Sequence, residues 1–207
     1  YHLETLMTMG FLAGATQRIR FVTSVMILPY RNPIVTAKML ASLDVLSGGR
    51  VIVGAGVGWM KEEFETIRTE NFAERGKVTD EYLQVFKALW TQDNPRFEGR
   101  HARFQDLSFL PKPVQKPHPP LWIGGESPAA LRRVVVYGDA WYPIGSNPRF
   151  PLDTAKRYSE ALARLRDAAG RARRDPASIV LAFWAPWYME GRSHTLDDGQ
   201  RQLFTGS

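Results

Sequence analysis

Apolar strand-like runs separated by helix-like spacing constrain this chain more than any other feature of its sequence. Arg20 to Leu28 (RFVTSVMIL) is β-branched and apolar almost throughout, the pattern of a strand buried on both faces. Val51 to Val57 (VIVGAGV) repeats that character and ends in glycines. Leu121 to Ile123, Asp139 to Pro143 (DAWYP) and Ile179 to Met189 (IVLAFWAPWYM) supply three further strands. Between them the apolar spacing changes to that of helices. Ile34 to Leu46 carries Val35, Met39, Leu40, Leu43 and Leu46 and stops at Gly48-Gly49. Thr79 to Trp90 sets Tyr82, Val85, Phe86 and Leu89 on one face. Ser127-Pro128 reads as a helix cap followed by proline at the first helical position. Pro151 to Ala169 is amphipathic through Ala155, Tyr158, Leu162 and Leu165, with Gly170 as its stop. Strands alternating with helices in this way require a parallel sheet with crossover helices, either an open doubly wound sheet or a closed barrel.

Composition removes several classes of function. With 44% apolar and 23% charged residues, the 207-residue chain has the balance of a folded globular protein. It contains no apolar run of about 18 residues, so no transmembrane helix and no membrane partner is expected. Cysteine is absent, which excludes disulfides and thiolate chemistry and makes a reducing cytoplasm the expected setting. The net charge of +6 invites a nucleic-acid reading. The excess, however, is concentrated in Lys156, Arg157, Arg164, Arg166, Arg171, Arg173 and Arg174, which decorate one helix and its C-terminal end. Basic residues there offset the helix dipole, and no zinc-finger spacing or RNA-binding aromatic motif accompanies them. A solvated helix face explains the charge, and no nucleic-acid partner is expected. From Thr91 to Pro120 the alternation lapses. Six prolines forbid a long helix there, while Phe97, His101, Phe104, Phe109 and Leu110 are too apolar for a free linker. The segment 91–120 reads as an ordered insertion packing over one end of the sheet.

Two glycine-rich turns carry the candidate chemistry. Gly54-Ala55-Gly56-Val57-Gly58 follows a strand, but Trp59 stands where a dinucleotide fingerprint needs its third glycine. Glu62 and Glu63 would also repel a pyrophosphate at the next helix start. Small residues at that strand end leave room for a ligand or a neighbouring loop. Gly124-Gly125-Glu126-Ser127 is the better anion site, because its glycines let backbone N–H groups approach a ligand at a helix N-terminus. Glu126 suits that role only if its side chain points away, and a plain turn with a serine cap is the alternative. His2, His101, His118 and His194 lack metal-ligand spacing, so no metal is expected. No Gly-x-Ser-x-Gly elbow is present. Such a chain suits chemistry supplied by a cofactor.

Several segments together resemble the luciferase-like monooxygenase superfamily, in particular its coenzyme F-420 (deazaflavin)-dependent oxidoreductases. They are Leu12 to Arg20, Val25 to Pro33, Ser47-Gly48-Gly49-Arg50, Gly54 to Trp59 with Glu62-Glu63-Phe64, and Arg75-Gly76 with Asp80-Glu81. Leu89-Trp90, Phe97-Glu98-Gly99, Pro111-Lys112-Pro113, Trp122 to Gly125 and Gly138 to Trp141 continue the match in family order. The resemblance implies an α/β (β/α)8 TIM barrel of which strands three to seven are visible. Residues 1–207 would form a partial barrel domain with an insertion at 91–120. It implies a backbone bulge, often a non-proline cis peptide, at Thr23-Ser24-Val25 behind the cofactor ring. It assigns the cofactor phosphate to Gly124, Gly125, Glu126 and Ser127, with Ala140 and Trp141 as weaker candidates for the cofactor wall. Trp59 stands where the sugar-phosphate dehydrogenase branch has a carboxylate, so it becomes an apolar wall of the substrate pocket or simply core.

The activity implied is hydride transfer between coenzyme F-420 and an unidentified small-molecule substrate. An FMN-dependent luciferase-like monooxygenase is the first alternative, and a non-catalytic binding protein with a degenerate barrel the second. The family's catalytic histidine or acid usually follows its first or second strand, so no catalytic residue is assigned. Such barrels need about 250 residues. Tyr1 opens the chain without Met, and Thr205-Gly206-Ser207 reads as the cap of a further helix. Strands one, two and eight are therefore expected outside these 207 residues, leaving open edges liable to associate and a homodimer as the expected assembly.

Overall fold

The computed structural model describes residues 3–187 and 191–205, which fall into two compact units dividing after Leu121. His2, Gly206, Ser207 and the Tyr188-Met189 end of the expected last strand lie outside the described residues.

The first unit begins with α1 (Thr5–Ala15), capped by the Glu4 carboxylate, which accepts the Met7 N–H at 2.8 Å. β1 (Phe21–Val22) and β2 (Met26–Ile27) follow, then α2 (Pro33–Ser47) and β3 (Val51–Gly56). Asn32 caps α2 by accepting the Ile34 and Val35 N–H groups, and Gly48 closes it in the left-handed conformation. After α3 (Lys61–Ile67) comes α4 (Arg75–Thr91), which starts four residues earlier than its apolar pattern announces.

The strand expected over Arg20 to Leu28 is two short pieces separated by a bulge. Phe21 pairs with Val51 and Val22 with Ile52 in parallel register, whereas Met26 pairs with Ala55 and Ile27 with Gly56. Three residues, 23 to 25, thus stand opposite two, 53 and 54, as a bulge requires. The Ser24–Val25 peptide within it is cis. The Thr23 hydroxyl donates to the Gly54 carbonyl at 2.8 Å, taking over where the backbone ladder is interrupted. The expected burial on both faces also gives way: Thr23 is buried, but Ser24 and Val25 are exposed. Glycine at 54 and 56 is what permits this approach. A Cβ at position 54 would lie 1.8 Å from the Thr23 carbonyl oxygen, and one at 56 would lie 2.6 Å from Val25 Cγ2. The small residues at the end of β3 therefore make room for the neighbouring strand.

Polar side chains fasten the remaining pieces. Arg50 donates to the carbonyls of Ala13, Ile19 and Ser47 and to Thr16 Oγ1, closing the C-terminal end of α1 onto the turn after α2. Asp44, fully buried, accepts both the backbone and side-chain N–H groups of Gln115. The segment 91–120 is ordered, with an antiparallel hairpin of β4 (Phe97–Glu98) and β5 (Arg103–Phe104). Glu81 on α4 accepts the consecutive N–H groups of Arg100, His101 and Ala102 at 2.6–3.0 Å. Lys112 donates to the Leu89 and Gln92 carbonyls at the end of α4, and Lys38 on α2 to the Leu110 carbonyl. These contacts tie the segment to helices α2 and α4.

In the second unit, β6 (Leu121–Gly124), β7 (Ala140–Tyr142) and β8 (Val180–Leu181) run parallel, with α5 (Pro128–Tyr137) and α6 (Ala155–Arg171) as crossovers. α6 starts after the expected Pro151, because Thr154 supplies its cap, and it continues through Gly170. Among the described residues of the strand expected from Ile179 to Met189, two form the ladder, and Trp184 adds an isolated parallel bridge to Ile144. Val180, Ala182 and Trp184 still donate alternately to Asp139, Trp141 and Pro143. Among the described residues no strand pairs with the far edge, and Val180 and Leu181 are exposed. In α6 and beyond, Arg157 pairs with Asp153 and Arg174 donates to the Val134 and Val135 carbonyls, while Lys156, Arg164, Arg166 and Arg171 are exposed.

Replacing Gly54 with alanine will cost at least the upper part of the range of about 1–3 kcal/mol typical of overpacking, read by urea denaturation. Gly170→Ala, where an added Cβ meets nothing within 4 Å, will be neutral or stabilising. A Gly54→Ala variant as stable as the parent would refute the close approach of the two strands.

Candidate functional site

The turn at the end of β6 presents mostly backbone. Gly124, Gly125 and Ser127 are each partly exposed, and Gly125 adopts φ +102°, a conformation natural only to glycine. A Cβ on Gly125 would sit 3.0 Å from the Ala130 Cβ, against the first turn of α5. Ser127 caps that helix by accepting the Ala130 N–H at 3.2 Å, and Pro128 fills the first helical position. The serine-cap reading is thus correct, and it is compatible with the anion reading, since a capping hydroxyl keeps its proton to donate.

Glu126 decides between an anion-holding turn and a repelling one. Its side chain is buried, with only 3% of the residue exposed. One carboxylate oxygen accepts the Ile144 N–H at 2.7 Å and the other accepts the Asn147 amide N–H at 2.6 Å. Burial pushes the carboxyl above the ordinary carboxylate range, and the bonds from Asn147 and Ile144 pull against that rise. The one negative side chain of the turn therefore faces the loop after β7 and leaves the turn to its glycines, its serine and the α5 dipole.

Ala140 and Trp141 are fully buried. Trp141 stacks on Tyr158 with ring centroids 5.6 Å apart, and its indole N–H donates to the Gly125 carbonyl at 2.9 Å. Trp141 acts on the turn from behind by fixing its backbone. The structure thus brings together Gly125, Glu126 and Trp141, and adds Ile144 and Asn147, which sequence reasoning missed. The single available signal was a carboxylate inside a glycine–serine turn, which demands donors. Nothing in local spacing says that they lie 18 and 21 residues downstream.

In the first unit, Ser24 and Val25 present the outer surface of the bulge, and Thr23 supports it from within. Trp59 follows β3 and is 76% exposed. Gly58, at φ +80°, makes the turn before it, and a Cβ there would meet Phe64 and Ile27 within 3 Å. Beside this turn the Tyr30 hydroxyl donates to Glu63 at 2.5 Å. Burial, then the bond to Glu63, raises the phenol well above its ordinary range. Glu62 and Glu63 occupy the first turn of α3, where their charge opposes an anion. Among the described residues no group of three His, Asp or Glu side chains is placed to hold a metal ion, and no helix is long and apolar enough to cross a membrane.

The chain belongs to the luciferase-like monooxygenase family, whose pattern matches residues 1–193. It is 36% identical over 138 residues, 66% of its length, to the FMNH(2)-dependent dimethylsulfone monooxygenase of Pseudomonas putida, of which it spans 38%. The monooxygenase RslO1 of Streptomyces bottropensis superposes over 95% of this chain and 56% of its own, with a TM-score of 0.71 and 26% identity. An F-420-dependent secondary alcohol dehydrogenase, solved with an F-420–acetone adduct, superposes over 91% of this chain and 55% of its own, with a TM-score of 0.75. At 23% identity that likeness shows the fold alone. The chain thus carries part of a luciferase-like (β/α)8 barrel and spans about half the length of these solved relatives.

Ser127→Ala will lower stability by about 1 kcal/mol in urea denaturation, the usual worth of a serine cap, whereas Ser127→Asp will stay within a few tenths. Equal stability of Ser127→Ala and the parent would show that the Ala130 N–H does not depend on this cap.

Proposed function

We propose that the chain is the cofactor-binding part of an oxidoreductase that moves a hydride between coenzyme F-420 and a small organic molecule. The observation that carries this reading is the position of Glu126: with its carboxylate buried against Ile144 and Asn147, the turn at Gly124–Ser127 is left free to hold a phosphate. Backbone N–H groups approach the ligand where Gly125 leaves no side chain, and the Ser127 hydroxyl donates to a phosphate oxygen. In the first unit, Thr23, Ser24 and Val25 are assigned to support of the cofactor ring, and exposed Trp59 to an apolar wall for the substrate. Bound deazaflavin supplies a carbon that accepts or delivers a hydride; the protein's part is to orient the ring, anchor the tail and exclude water. The net charge of +6 suits capture of an acidic cofactor.

A second reading keeps the same turn and places FMN there, as in a two-component monooxygenase. The 36% identity to the FMNH(2)-dependent enzyme favours it. Titrating the protein with coenzyme F-420 and with FMN, followed by fluorescence, separates the two. We expect saturable F-420 binding that Gly125→Asp abolishes, because a carboxylate at that position repels the phosphate. Micromolar FMN binding without F-420 binding would select the second reading. Unchanged affinity in Gly125→Asp would overturn the phosphate assignment in both.

The assembly we propose is a homodimer formed through α1 and α2. Leu3, Met7 and Phe11 recur at helical spacing and are 71–80% exposed, and on α2 Val35 and Leu46 are 57% and 78% exposed. Phe11→Lys will shift the protein from dimer to monomer in sedimentation velocity. A parent protein that sediments as a monomer would overturn this assignment.

A further inference from the structure

We infer that Glu126 is a positioning residue whose buried carboxylate sets the loop after β7 against the phosphate-holding turn, so that discrimination for a phosphorylated ligand depends on it. The inference rests on the reading of Gly124–Ser127 as that turn.

The loop from Pro143 to Leu152 is held at few points, and Glu126 supplies two of them. The carboxylate takes the Ile144 N–H on one oxygen and the Asn147 amide N–H on the other. The Asn147 oxygen accepts the Arg149 N–H at 3.0 Å, which fixes the orientation of that amide and directs its nitrogen at Glu126. The next residue, Gly145, donates to the Trp184 carbonyl and accepts from the Leu152 N–H. A Cβ on Gly145 would lie 2.2 Å from the Trp187 ring, so the chain cannot slide past that point. The turn is fixed from the other side by the Trp141 indole on the Gly125 carbonyl. Glu126 is therefore the side chain through which the two loops share one geometry.

The chemistry requires a carboxylate. Both of its partners are N–H donors, so both oxygens must accept. Glutamine has the same shape but offers one oxygen and one NH2 group, and that NH2 faces a second donor. Glu126→Gln thus breaks one of the two bonds without changing the packing. Exchanging the partner's polarity restores it: in Glu126→Gln with Asn147→Asp, the new amide donates to the new carboxylate, while the glutamine oxygen still accepts from Ile144. Asn147→Ala removes the same bond from the opposite side and leaves Glu126 in place.

The readout is phosphate discrimination, the ratio of dissociation constants for a chromophore without and with its phosphate. The 5′-phosphate of deazariboflavin is compared with the unphosphorylated deazariboflavin, and FMN with riboflavin, by fluorescence titration of the whole protein. General destabilisation lowers both affinities together and leaves the ratio alone. We expect Glu126→Gln and Asn147→Ala to reduce the ratio about 10-fold, the weight of one hydrogen bond to a charged group, and the double variant to restore it to within about twofold. A ratio unchanged in Asn147→Ala, or a double variant no better than Glu126→Gln, would overturn the inference while leaving the turn assignment standing. If the parent protein itself shows no discrimination in either pair, the turn assignment fails and the inference falls with it. Should Glu126→Gln not fold, Asn147→Ala and the double variant carry the same comparison.

Discussion

The Thr23 carbonyl oxygen occupies space that a side chain at position 54 would need, and much of the first unit is arranged around that close approach. Because β3 offers only hydrogen atoms at 54 and 56, the neighbouring strand can carry one more residue than it faces. The surplus is expelled outward as Ser24 and Val25, while Thr23 turns its hydroxyl inward to the Gly54 carbonyl. The glycines are thus less a ligand's cradle than the reason the adjacent strand has a surface to offer.

The second unit solves a different problem, that of keeping a buried carboxylate inside a tight glycine–serine turn. Full removal from water would be costly for an unpaired carboxylate. Two N–H donors offset that cost, and they come from a distant loop, so neutralising the turn and positioning the loop are one event. Trp141 makes the arrangement rigid by holding the Gly125 backbone from the buried side.

Much of the fold was legible from periodicity and punctuation. Asn32-Pro33 and Gly48 bound α2, and Ser127-Pro128 starts α5, because caps and prolines act through local geometry that sequence displays directly. The strand over Arg20 to Leu28 misled because apolar composition says nothing about register, and a bulge turns side chains toward solvent without any change of residue type. Ile179 to Met189 misled for a related reason. Its composition suits a central strand, but a ladder needs a partner on each side, and the described residues provide one. The glycines at 124 and 125 were readable as a tight turn into a helix, whereas the bonding of Glu126 was not. Its partners, Ile144 and Asn147, are ordinary loop residues until the chain folds them back. Arg50 was visible only as part of a family pattern and Asp44 not at all, since their acceptors and donors are scattered from Ala13 to Gln115.

One carboxylate, Glu81, locates the hairpin tip entirely through main-chain N–H groups. Every amino acid except proline carries that group, so this contact does not depend on which side chains stand at 100 and 102, although the Arg100 guanidinium adds an ion pair to Glu74 and the His101 ring a polar contact to Glu70. What the contact forbids is bulk at Gly99, where a Cβ would lie 2.3 Å from the same carboxylate. Evolutionary drift in such a segment is channelled accordingly. Ala102 can change without touching that contact, whereas the glycine and the glutamate that fit against each other are constrained as a pair.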